Sequence, residues 1–152
     1  MHIPINSESR EARAHEVGAA RAKQTLAGVR LRKHADYQAA YAASRKRQSS
    51  SMAWFVALRP ADGTARVGLT VGKVIGKAHE RNRIKRRMRE ALRRHVELLP
   101  AGADLILHPR RVVLAMEFTK LEAEVVRILT QASNEVARAA RSSAAQAASK
   151  PA

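Results

Sequence analysis

The sequence predicts an α+β sandwich, a mixed sheet packed by helices. Three observations carry this reading. Two stretches alternate apolar and polar residues with period two, "SMAWFVALRP" (51–60) and "ARVGLTVGK" (65–73). Two others carry apolar residues at helical spacing, "HERNRIKRRMREALRRHVELL" (79–99) and "FTKLEAEVVRILTQASNEVARAAR" (118–141). A short apolar run, "ADLILHP" (103–109), lies between those helices. Strands and helices that alternate along one chain pack as layers around a single core.

The elements follow in order α-β-β-α-β-α. "KHADYQAAYAAS" (33–44) is rich in alanine and reads as a short helix. "RKRQSS" (45–50) reads as a polar connection. In the first strand Met52, Trp54, Val56 and Leu58 share one face, and Ala53, Phe55 and Ala57 share the other. Pro60 and the Asp62-Gly63 turn end it. In the second strand Val67, Leu69 and Val71 face one way, and Arg66, Gly68, Thr70 and Gly72 the other. The short turn predicts that these two strands pair as an antiparallel hairpin. Pro100 and Gly102 stop the helix over 79–99. The last helix opens with Thr119 and Glu122 at capping-box spacing, and Leu121, Val125, Leu129, Ala132 and Val136 form its apolar stripe. Residues 1–27 are polar without a clean period and read as a flexible extension. The folded unit is 28–140, and 141–152 reads as a disordered Ala/Ser-rich tail.

A chain of 152 residues fits one domain. It holds 29 Lys and Arg against 13 Asp and Glu, a net charge of +16. Charge that far from zero repels itself in a compact body, so a polyanionic partner is expected. There is no cysteine, hence no disulfide and no thiolate metal site. No run of about 18 apolar residues is present, and the first residues lack an apolar signal core. These features predict a cytoplasmic protein with no membrane contact.

The charge is concentrated in one place. Between Glu80 and His95 eight of sixteen residues are Lys or Arg. Ile84, Met88, Leu92 and Val96 recur every four residues, so the segment has an apolar arc as well as cations. Lys85, Arg86, Arg89 and Arg93 fall on one flank and the back; Arg83, Arg87 and Arg94 fall on the other flank. Guanidinium matches phosphate with two parallel hydrogen bonds. Glu80 and Glu90 are the only acids within the stretch. Like charges at i,i+4, such as Lys85 and Arg89, cost an isolated helix a few tenths of a kcal/mol per pair. A polyanion removes that cost. Asn82 either caps this helix or hydrogen-bonds a nucleotide.

Aromatic residues are scarce, and both tyrosines, Tyr37 and Tyr41, stand four apart on one helix. Phe55 sits among small neighbours, Ala53 and Ala57. Rings above a small-residue sheet face make a shallow groove in which unpaired bases can stack; the competing reading is that the tyrosines only pack helix to sheet. No catalytic constellation is visible. His2, His15, His34, His79, His95 and His108 form no metal-binding spacing, and Gly72 and Gly76 fit no phosphate loop. The acids are scattered over different elements, and Asp104 opens a strand as a turn or structural acid.

The stretch "RVGLTVGKVIGKAHERNRIKRRMRE" (66–90) resembles the bacterial ribonuclease P protein subunit, the small basic partner of a catalytic RNA. Within it, "RNRIKRRMRE" resembles that family's Arg-Asn-Arg signature. "LRKHADYQAAY" (31–41) resembles its first helix, and "DLILHPR" (104–110) its fourth strand. The resemblance covers about residues 28–135. It implies a left-handed βαβ crossover in the sandwich, the fold of the second domain of a small-subunit ribosomal protein, where the general rule gives the right hand. It implies removal of the 5′ leader from precursor tRNA, with cleavage carried by the RNA subunit and Mg²⁺ bound mainly by RNA. The partners implied are the catalytic RNA subunit and precursor tRNA, with no obligatory protein partner and no catalytic residue in the polypeptide.

By the same resemblance, Arg81, Asn82, Arg83, Lys85, Arg86 and Arg89, with Lys73 and Arg32, are RNA-binding. Tyr37, Tyr41, Phe55 and Ala53 line the leader groove. The chain departs from the family pattern at Gly72-Lys73-Val74, which keeps one lysine of a usual pair, at Glu80 directly before Arg81, and at His108-Pro109, where a small residue is more typical. The alternative reading is a general or ribosome-associated basic RNA-binding protein, which needs no dependence on a leader.

Overall fold

Three helices and a four-stranded sheet make up the computed structural model, which describes residues 25–59 and 63–149, with side chains to 142. In chain order they are α1 (His34–Ala43), β1 (Arg45–Gln48), β2 (Met52–Leu58), β3 (Arg66–Leu69), α2 (Ala78–Arg94), β4 (Ala103–Pro109) and α3 (Phe118–Ser149). The strand order is β1-β2-β4-β3. β2 is antiparallel to β1 and to β4, while β3 runs parallel to β4. The fold is therefore α+β with a mixed sheet. Helix α2 joins the parallel pair, so β3-α2-β4 is a βαβ unit.

The two alternating segments form β2 and β3, but they do not pair as the expected hairpin. β4 lies between them. The reason is its composition: Ala103, Leu105, Ile106, Leu107 and Pro109 are apolar and buried, so the strand takes an inner position. The charged strand β1 and the short β3 are left for the edges, where such strands belong. β1 itself is a correction, because "RKRQ" reads as a polar connection yet pairs with β2 from Arg45↔Val56 to Gln48↔Ala53. The outer side of β3 is covered: Leu31 N–H donates to Val67 O and Val67 N–H to Val29 O, both at 2.8 Å.

Alternation sorts the side chains into two layers. Met52, Trp54, Val67, Leu105 and Leu107 point to one face. There they meet Ile84, Met88, Ala91 and Leu92 of α2 and Leu121, Val125, Ile128 and Leu129 of α3. On the other face Ala57 and Ile106 meet Leu31 and Ala40, with Tyr37, Tyr41 and Phe55 packed around them. Trp54 is thus core and Phe55 is not, as the alternation predicts.

Helix ends differ from expectation. α2 starts at Ala78 and stops at Arg94; a separate turn, Val96–Leu98, keeps Val96 buried. Thr119 does not cap α3, since the helix begins one residue earlier and Thr119 is exposed in its first turn. α3 also continues to Ser149, through most of the stretch read as a disordered tail. Alanine has the highest helix propensity, and no proline intervenes before Pro151. At the other end, Leu26 packs against the core, so the folded unit starts slightly before residue 28. The rest of the expected N-terminal extension, residues 1–24, lies outside the described residues, as do 150–152.

Candidate nucleic-acid interface

Helix α1 places two rings on the sheet. It buries one residue, Ala40, whose small side chain lets the helix sit close. Tyr37 and Tyr41 flank it with centroids 6.4 Å apart. Tyr37 lies over Gly68 of β3, where a Cβ would stand 2.7 Å from its hydroxyl oxygen. Its hydroxyl donates to Leu31 O at 3.2 Å, and burial pushes it above the usual phenolic range. Tyr41 meets Phe55 edge-on at 5.0 Å. Its hydroxyl oxygen lies 2.7 Å from Nε2 of His108. Phe55 is half-buried. Ala53 shares its face by register but is buried, so it supplies room and little surface.

An ionic clamp fixes α1 in place. Arg66 donates from Nε and Nη2 to the two oxygens of Asp104, both at 2.8 Å, and from Nη1 to Asp36 of α1 at 3.1 Å. Arg59 adds a further ion pair to Asp104 at 3.1 Å. Asp104 is the structural acid that its position allows. It is buried, and its charge is fully engaged.

Helix α2 divides its cations. Ile84, Met88, Ala91 and Leu92 are buried and hold it down. Its first turn is organised by Glu80, which accepts from Lys77 N–H at 3.0 Å and pairs with Arg111. The Arg111 guanidinium, then the Lys77 amide, hold this carboxyl down at about 2. The acid before Arg81 is therefore an N-terminal brace. Asn82 lies inside the helix and is exposed, which removes the capping alternative and leaves its side chain open to a ligand.

Several arginines are occupied internally. Arg81 Nε donates to Gly76 O at 3.2 Å. Arg87 donates to Met116 O, Arg93 and Arg94 bond Glu90, and Arg94 covers the Phe118 ring at 4.7 Å. Among the described residues, Arg83, Lys85, Arg86 and Arg89 have no hydrogen-bond or ion-pair partner. Four cations on a packed helix are thus free for an external anion.

These free cations point two ways. Lys85 lines a cleft of about 580 Å³ together with Arg32, Tyr37 and Tyr41. Arg89 closes the neighbouring gap beside Tyr37 and Gly68. Arg83 and Arg86 line a separate cleft of about 530 Å³ with Arg87, Glu90 and Phe118. So the structure joins Arg32, Lys85 and Arg89 to the tyrosines, and sets Arg83 and Arg86 apart. Lys73, exposed on the turn before α2, lines neither cleft. Sequence reasoning gave His108 no role in the groove. A polar residue at an alternate, sheet-facing position of an apolar strand was the available signal.

Comparison with known proteins agrees with this architecture. The family model "Ribonuclease P" matches residues 27–133. The ribonuclease P protein component of Nitrosomonas eutropha is 37% identical over 109 residues, covering 70% of this chain and 89% of that protein. That of Desulfovibrio desulfuricans is 33% identical over 104 residues, covering 66% and 80%. The solved ribonuclease P protein from Thermotoga maritima superposes with a TM-score of 0.60 at 24% identity, covering 67% of this chain and 96% of that one, a likeness of fold. Basic helix, ringed groove and sequence matches converge: the chain belongs to the ribonuclease P protein family.

Proposed function

We propose that this protein is the protein subunit of a cytoplasmic ribonuclease P, binding the catalytic RNA and the single-stranded 5′ leader of precursor tRNA while the RNA performs Mg²⁺-dependent cleavage. The observation that carries the reading is the shared cleft in which two cations, Arg32 and the unpartnered Lys85, meet the rings of Tyr37 and Tyr41. Cations track phosphates and rings take bases, the combination that single strands require; stacking contributes about 1–3 kcal/mol per base. The leader lies over α1 and the groove face. The cleft of Arg83 and Arg86, on the far flank, faces the RNA subunit, with Arg81 and Asn82 at the start of the same helix and Lys73 on the turn leading into it.

The protein's part is binding and orientation, and Mg²⁺ supplies the activation of water and stabilisation of the leaving oxygen when held by RNA. The donor set fits that division. Asp104, Glu80 and Glu90 are engaged by arginines, and no three His, Asp or Glu side chains converge among the described residues.

The test is reconstitution with a bacterial catalytic RNA. The polypeptide alone should cleave nothing, and adding it to the RNA at low Mg²⁺ should speed leader removal, with steep salt dependence of binding. Combined Tyr37→Ala and Tyr41→Ala should weaken leader-bearing precursor about tenfold or more and mature tRNA far less. Equal losses for both RNAs would instead favour a general RNA-binding protein.

A further inference from the structure

His108 stands beside the rings of the groove, against Tyr41 and Phe55. β4 pairs it with Ala53, whose small side chain leaves the imidazole room on the α1 side. Its ring lies 5.2 Å from Phe55 and 5.7 Å from Tyr41. Tyr41 and Phe55 are 5.0 Å apart, so the three rings close a triangle. His108 is the member with two ring nitrogens. Nε2 meets the Tyr41 hydroxyl at 2.7 Å. Nδ1 has no partner among the described residues and is not one of the buried, unpartnered polar atoms.

We propose that His108 is a specificity-determining residue: Nε2 accepts from the Tyr41 hydroxyl, and the Nδ1–H so fixed donates to the base edge of one unpaired leader nucleotide held against Tyr41 and Phe55. The inference rests on the leader-groove reading above and adds a base preference to it. A phenol donates more readily than a neutral imidazole, which sets the tautomer. Burial, then the charge of Lys46 on edge strand β1, keeps the ring below its ordinary pKa and therefore neutral. An unpaired base exposes its edge, and a fixed donor favours a base with an acceptor there over one with an amino or imino hydrogen. Stacking alone does not discriminate in this way, because every base has a π-face.

The experiment uses the holoenzyme reconstituted with a bacterial catalytic RNA and a pool of precursor tRNAs with randomised leaders. Wild type should discriminate at one leader position by about three- to tenfold, the worth of one hydrogen bond. His108→Phe keeps a ring without nitrogens and should flatten that preference. His108→Gln keeps an acceptor and a donor and should retain part of it, which a purely structural role does not predict. If His108→Phe fails to melt cooperatively, His108→Leu, which also lacks a side-chain nitrogen, supplies the same comparison. Unchanged discrimination in the nitrogen-free variant overturns the inference and leaves the groove standing. A wild type that prefers leader-bearing RNA but shows no base preference also overturns it. A wild type indifferent to the leader overturns the groove reading itself.

Discussion

Helices α1 and α2 lie on opposite faces of one sheet and are held there by different means. α2 buries a stripe of four apolar residues and turns its cations outward. Its anchor and its ligand-facing groups are different side chains. α1 buries one alanine. It is held by the Tyr37 hydroxyl on Leu31, by the Tyr41–His108 contact and by Arg66 on Asp36. On the proposed function, two of its three anchors, Tyr37 and Tyr41, are also its stacking groups. On that proposal, the comparison teaches where fold and binding separate: on α2 they are independent, and on α1 they move together.

Met88→Ala breaks the anchor of α2 and should have the largest effect. Met88 is fully buried between the sheet and α3. Its truncation should cost about 2–5 kcal/mol in a denaturant titration. RNA affinity, corrected for the folded fraction, should hardly change, because no cation is removed. A large intrinsic loss of affinity would contradict the separation on α2.

Gly68→Ala addresses α1. The added methyl meets the Tyr37 hydroxyl oxygen at 2.7 Å and ring carbons at 2.8 Å, so the ring must move. Overpacking of this kind costs about 1–3 kcal/mol. Because the displaced ring is also a proposed stacking group, affinity for leader-bearing precursor should fall with stability, by several-fold, while mature tRNA is less affected. Loss of stability with leader affinity intact would show that Tyr37 anchors without binding.

How far this division was legible follows from what each helix shows in sequence. The stripe Ile84, Met88, Leu92 is periodic, and the cations between it are unbalanced, so the α2 interface is visible from spacing. The groove is legible only in part. Phe55 opposite Trp54 follows from alternation. Gly68 beneath Tyr37 and His108 beside Tyr41 depend on which strands are neighbours. The strand order was misread because a short Asp-Gly turn argues for a hairpin, whereas burial of β4 on both faces decides the pairing. The occupied arginines of α2 are legible only where the partner is local, as Glu90 is for Arg93 and Arg94; the partners Met116, Glu122 and Phe118 come from elsewhere in the chain.

Glu80 gives the smallest and most selective test. It braces the start of α2 through Lys77 N–H and Arg111, and touches no residue of the groove. Its carboxyl is held at about 2, below its value of 4.5 in an unfolded chain. A folded-state pKa below the unfolded one means stability that is present above pH 4.5 and is lost as pH falls toward 2. Glu80→Gln cannot titrate. Its melting temperature should be slightly below wild type at pH 7, and the gap should close through that acid window. Leader selectivity at pH 7 should be preserved, since α2 stays anchored by its apolar stripe. A gap that stays constant from pH 7 to pH 2 would mean that the carboxylate charge contributes nothing to holding the helix.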